Sequence, residues 1–153
     1  MTKTAIIGAG LIGRSWAIVF ARAGFLVNLW DPFPRQTEAA MTFIAERLPE
    51  LRQAGLLANE PPVVLGRITP MTSMADAVRD VVHVQENGPE QVPAKQALFA
   101  ELDRATPADV VLASSTTGAG ETWRSARILT GRNLLERRYV PVDPSPHLLR
   151  FRR

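Results

Sequence analysis

Three glycines and one aspartate near the start of the chain have the types and spacing to hold a dinucleotide. Gly8, Gly10 and Gly13 form G-A-G-L-I-G directly after the apolar run Ala5–Ile7. In such a G-x-G-x-x-G turn the first glycine permits the tight bend. The second gives a pyrophosphate room against the backbone, and the third lets the following helix pack closely on the strand. Leu11 and Ile12 stand at the start of that helix, where unpaired N–H groups and a partial positive charge face the pyrophosphate. A second apolar run, Leu26–Trp30, ends in Asp31, eighteen residues beyond Gly13. A carboxylate there accepts both hydroxyls of an adenosine ribose and repels a 2′-phosphate, which favours NAD over NADP. The same residues also have plainer uses: glycines serve turns, and D-P-F-P is good turn chemistry.

These groups need a frame, and the rest of the chain alternates between helix and strand patterns. Gln36–Leu57 reads as helical, with Ala40, Phe43, Ile44, Leu48 and Leu51 spaced for one face, and Pro49 predicts a kink or two helices. Asn59–Pro62 reads as a loop and Gly66–Pro70 as a short strand. Ser73 is placed to cap a helix over Met74–Arg79. Val81–Val84 is a β-branched strand, ended by Glu86-Asn87-Gly88-Pro89. Val92–Ala105 is helical, and Val110–Ala113 is a buried strand closing in the turn Ser114–Gly118. This alternation predicts an α/β fold built on a doubly wound parallel sheet. Right-handed connections then place every strand's C-terminal end along one rim. Gly8–Gly13, Asp31, Glu86–Glu90 and Ser114–Gly118 all fall on that rim. His83 lies inside a strand and reads as a packed core histidine.

The 153 residues suit one domain with a sizeable core. The absence of cysteine excludes disulfides and thiolate metal sites, and fits a reducing, cytoplasmic setting. Two histidines argue no metal cluster. No apolar run reaches membrane-spanning length, and Met1-Thr2-Lys3 leads into a strand rather than a signal peptide. The pI near 10.2 misleads. Residues 1–120 hold ten basic and twelve acidic side chains, whereas residues 121–153 hold eight arginines and three acids. The basicity sits in the tail, without lysines or a recognisable nucleic-acid motif, so neither nucleic acid nor membrane is expected as a partner.

G-A-G-L-I-G-R-S-W-A-I-V-F-A-R-A-G-F-L-V-N-L-W-D, then V-V-H-V-Q-E-N-G-P-E-Q-V-P-A-K, then V-L-A-S-S-T-T-G resemble the L-3-hydroxyacyl-CoA dehydrogenase family. The pattern is nearest to its L-gulonate 3-dehydrogenase/lambda-crystallin branch. The resemblance covers residues 1 to about 118. It implies a Rossmann NAD-binding domain over residues 1–120 and an oxidoreductase passing hydride from a 3-hydroxy group to NAD. It leaves acyl-CoA thioesters, gulonate and carnitine-like substrates open. Glu90 and Lys95 match a family acid and lysine near the nicotinamide half of the cofactor; the residues alone equally allow an exposed helix start. Thr117 falls where most relatives place a substrate-contacting serine, and Ser115 and Thr116 either hold the loop near the nicotinamide or form the turn.

After Gly118 the pattern departs. Relatives continue through H-P-x-N-P, whose histidine is the general base, to a glutamate and a helical domain that usually completes a homodimer. Here Val140 stands for the histidine and Asp143 for the asparagine, and His147 is a displaced candidate without an acid partner. The family's helical domain is expected to be absent. The Arg-rich tail, 121–153, reads as a truncated or frame-altered segment, and the chain alone is expected to turn over little. Two other readings stay open: a non-catalytic NAD-binding module, and a degraded gene remnant.

Overall fold

The computed structural model describes residues 1–115. The expected boundary near residue 120, the tail 121–153, and Thr116, Thr117, Val140, Asp143 and His147 lie outside the described residues. Five strands and five helices follow in order: β1 (Lys3–Ile7), α1 (Leu11–Arg22), β2 (Leu26–Trp30), α2 (Pro34–Gln53), α3 (Pro61–Leu65), β3 (Ile68–Pro70), α4 (Met74–Ala77), β4 (His83–Glu86), α5 (Val92–Ala105) and β5 (Val111–Ser114). All strand pairs are parallel, in the order β3-β2-β1-β4-β5. The expected doubly wound α/β sheet is therefore observed. The chain winds outward from β1 to β3, crosses back and winds outward again from β4. The switch point, where such sheets bind ligands, lies between β1 and β4.

Period-two alternation splits the core in two, because successive side chains of a strand face opposite ways. Ile6, Val27 and Leu29 face α1 and α2 through Ala17, Ala21, Ile44 and Leu48. Ala5, Ile7 and Val84 face the other way, onto Met74, Phe99 and Leu102. Both faces are covered, as a parallel sheet requires.

Several elements differ from expectation. Pro49 does not divide α2, which runs unbroken from Pro34 to Gln53. Its missing N–H deprives only the carbonyl of Ala45 four residues back, and both residues are exposed, where water replaces the bond. Ile44 and Leu48 meanwhile stay anchored in the core. Asn59–Pro62 is not all loop: Pro61 and Pro62 open α3, in first-turn positions where a missing N–H costs nothing. Helix α4 stops at Ala77 rather than Arg79, capped by Ser73 Oγ accepting from Asp76 N at 3.1 Å. Strand β4 lies two residues later than Val81–Val84, because pairing with β1 starts at Thr4↔His83 and ends at Ile7↔Glu86. Glu86 is consequently the last residue of a central strand rather than part of the loop after it.

His83 Nδ1 lies 3.1 Å from Thr4 Oγ1, and its ring packs 5.2 Å from that of Phe20. Partial burial pushes its pKa below the ordinary value, since a charged imidazolium loses hydration there. The unfolded chain then binds the proton first as pH falls. Stability attributable to His83 is thus full above about pH 6.5 and lost on acidification toward the folded-state pKa. The melting temperature should fall between about pH 7 and 5.5, before most carboxylates titrate, and His83→Gln should flatten that slope.

Candidate nucleotide-binding site

The rim is built first by backbone contact. Gly8 has φ +93°, a conformation that side chains other than glycine rarely adopt. A Cβ at Gly13 would lie 1.8 Å from the Gly8 carbonyl oxygen, so α1 can begin this close to β1 only without a side chain there. Gly10 differs: a Cβ there would meet nothing within 4 Å. It caps α1 in extended conformation with no side-chain hydrogen bond to the first turn. The first-turn N–H groups therefore face open space, with Leu11 and Ile12 exposed on either side. The arrangement has the form of the cradle that the G-x-G-x-x-G pattern leads one to expect.

Asp31 ends β2 beside that cradle. Its Oδ2 accepts from Ala9 N at 2.8 Å and its Oδ1 from Phe33 N at 2.9 Å. The carboxylate is thus locked in place by backbone donors, and its two oxygens retain further lone pairs for the hydroxyls of a ribose. Phe33, 68% exposed, stands next to it on the rim; the sequence reading missed it as anything beyond a turn residue.

On the other side of the switch point the structure places the expected residues differently. Glu90 is exposed on the loop between β4 and α5. Lys95 is not at an exposed helix start: it is 2% exposed and grips Glu86, itself fully buried. Lys95 Nζ donates to Glu86 Oε1 at 2.8 Å, to Oε2 at 2.6 Å and to the Gly88 carbonyl at 3.1 Å. Oε1 also accepts from Gly88 N at 2.5 Å and Oε2 from Ser114 Oγ at 2.6 Å. Sequence reasoning missed Glu86, but one signal was present. Lys95, Phe99 and Leu102 share a helical face, so a lysine occupied the apolar stripe of α5 and needed a buried anion.

A second network braces the same end. Ser115 Oγ accepts from Trp16 Nε1 at 3.0 Å and Gln85 Nε2 at 2.8 Å, and donates to Asn87 Oδ1 at 2.8 Å. One hydroxyl thereby joins α1, β4 and the loop after β4. Thr117, expected to contact substrate, lies outside the described residues. Among those residues no group of three His, Asp or Glu is placed to hold a metal, and no helix is long and apolar enough to cross a membrane.

The two inner glycines should respond oppositely to alanine. Gly13→Ala forces α1 off β1 and should destabilise by about 2 kcal/mol or more in a thermal or denaturant melt, the order of an overpacked core. Gly10→Ala should leave stability nearly unchanged, since its methyl enters open space. It should nevertheless weaken binding of a dinucleotide, whose pyrophosphate needs that space.

Comparison with known proteins places this site in a family. Residues 3–122 match the family profile described as "3-hydroxyacyl-CoA dehydrogenase, NAD binding domain". Rabbit (Oryctolagus cuniculus) lambda-crystallin is 42% identical over 114 residues, covering 73% of this chain and 36% of that protein. L-carnitine dehydrogenase of Streptomyces griseus is 40% identical over 116 residues, 76% of this chain and 34% of that one. The crystal structure of 3-hydroxybutyryl-CoA dehydrogenase from Escherichia coli K12 superposes with a TM-score of 0.73 at 29% identity, over 82% of this chain and 27% of the other. The chain thus spans little more than a third of the curated relatives it matches. With its glycine turn, the carboxylate that follows its second strand and its parallel sheet in the matched region, the chain belongs to the 3-hydroxyacyl-CoA dehydrogenase family, of which it carries the NAD-binding domain.

Proposed function

We propose that this chain is the cofactor-holding part of an NAD-dependent dehydrogenase that oxidises a 3-hydroxy substrate. The observation that carries the reading is the pairing of an uncapped, open helix start at Gly10 with a backbone-locked carboxylate at Asp31. The first draws a pyrophosphate. The second accepts ribose hydroxyls and repels a 2′-phosphate, so NAD is preferred to NADP. When bound, NAD supplies the hydride acceptor. The chain's own residues hold its adenosine half over β2, carry its pyrophosphate across β1 and receive its nicotinamide half near β4 and β5. The names of the relatives support a substrate bearing a 3-hydroxy group, either a small acid such as carnitine or a coenzyme A thioester.

A fluorescence titration with NADH tests this directly. Saturable NADH binding is expected, with NADPH weaker by about tenfold or more, the equivalent of losing one hydrogen bond to a charged group. Asp31→Ala, with its melt measured in parallel, should weaken NADH and erase the preference. Equal binding of both cofactors, or none, would overturn the reading. Assays with NAD and L-carnitine, 3-hydroxybutyryl-CoA or L-gulonate then read turnover, and little or none is the expected result for this chain alone, which is proposed to hold the cofactor.

A further inference from the structure

We propose that a cleft beside α4, away from the cofactor rim, binds a small zwitterion, a molecule with a primary ammonium and a carboxylate on a short apolar body. Lys3 and Leu26 begin β1 and β2, at the opposite ends of those strands from Gly8 and Asp31. The register pairs Lys3 with Leu26 and Asn28 with Thr69, and Leu26 and Asn28 are two residues apart. All four side chains therefore share one face of the sheet. Helix α4 packs on that face, but it has only four residues, Met74–Ala77. Too short to cover three strands, it leaves a cleft of about 430 Å³ between the sheet and segment 76–80.

The floor of the cleft carries an acceptor without a partner. Asn28 is 7% exposed, and its Nδ2 donates to the Ala77 carbonyl at 2.8 Å. A carbonyl only accepts, so the amide nitrogen must face it and Oδ1 must point elsewhere. Among the described residues Oδ1 accepts no hydrogen bond, yet it is not sealed inside the protein, because Asn28 lines the cleft. An amide oxygen withdrawn from the surface in this way calls for a donor brought by whatever occupies the cleft.

The walls supply a charge of each sign. Arg79 and Asp76 satisfy each other at 2.6 Å, and Asp76 Oδ2 accepts from Ser73 Oγ at 2.7 Å. Lys3 and Asp80 are left over: among the described residues neither side chain makes an ion pair or a hydrogen bond. A ligand ammonium donates to Asn28 Oδ1 and to the Asp80 carboxylate, while the ligand's own carboxylate meets Lys3. Leu26, Pro70 and Met71 offer apolar surface to the body between them. A cation alone leaves Lys3 unpaired, and an anion alone leaves Asn28 and Asp80 unmet. A quaternary ammonium has no N–H for Oδ1, so the fit requires a primary one.

A titration of the full chain with L-leucine near neutral pH, followed by amide NMR shifts, tests the site. Saturable shifts are expected at residues 3, 26–28, 69–72 and 76–80, and none at the glycine turn 8–13. N-acetyl-L-leucine lacks the ammonium, L-leucinamide lacks the carboxylate, and N,N,N-trimethyl-L-leucine lacks the N–H donors. Each should bind about threefold more weakly than L-leucine or worse. Lys3→Met and Asp80→Asn should weaken L-leucine by a similar factor. Asparagine suits the second position because residue 80 has φ +58°, a left-handed conformation that asparagine adopts more readily than most residues. No saturable binding overturns the proposal, as does equal affinity for the four compounds or a response centred on the glycine turn. Displacement of L-leucine by NADH also overturns it, because the ligand then lies on the rim. The comparison of compounds alters no residue, so it decides the matter even if a variant does not fold.

Discussion

Helix α1 starts where the carbonyl oxygen of Gly8 occupies the space that a side chain at residue 13 would need, and the rest of the rim is arranged around that contact. Bringing the helix so close aims its unpaired N–H groups across the end of the sheet instead of past it. Strand ends are then laced to the turn by main-chain bonds. Gly8 N donates to Trp30 O and Asn87 N to Ile7 O, each at 2.8 Å. Asp31 adds a side-chain tie to Ala9 N. The tips of β2, β1 and β4 are thus set relative to one another by the protein's own hydrogen bonds, and a cofactor site built on them is organised in advance of binding.

Among the described residues, Glu86 and Lys95 occupy the place where charge is taken fully out of water. Removing a carboxylate and an ammonium from water costs on the order of several kcal/mol each, and mutual attraction recovers that only with excellent geometry and further hydrogen bonds. Both conditions hold, since each carboxylate oxygen accepts two hydrogen bonds and all three ammonium donors are used. Such a pair adds little net stability beyond what well-packed apolar side chains would provide. What it adds is direction. Two apolar side chains could fill the volume, but they could not dictate where the Gly88 amide and carbonyl point.

The wider frame was legible because it rests on local rules. Helix α5 begins at Val92 and ends at Ala105 as its pattern implies, and β2 matches Leu26–Trp30. Elsewhere local rules met tertiary ones. Pro49 carries a strong local signal to break a helix, but the core contacts of Ile44 and Leu48 on the opposite face hold α2 together while the freed carbonyl stays in solvent. The run Val81–Val84 has strand propensity throughout, but β1 decides where pairing starts and carries it on through Gln85 to Glu86. That shift of two residues moved an acid from an expected loop into the centre of the sheet.

By itself the sequence determined the parallel α/β arrangement, the glycine turn and the acid that ends the second strand. Each depends on residues adjacent in the chain, whose backbone freedom and apolar period act before any long-range contact forms. Only the tertiary structure decided what becomes of Lys95, Glu86 and Ser115. Lys95 and Ser115 acquire their partners from β4, α1 and the loop after β4, and no pattern along the chain announces a meeting of Trp16 with Ser115. Burial turns those meetings from optional into obligatory, because a polar group withdrawn from water must find its partner inside the protein.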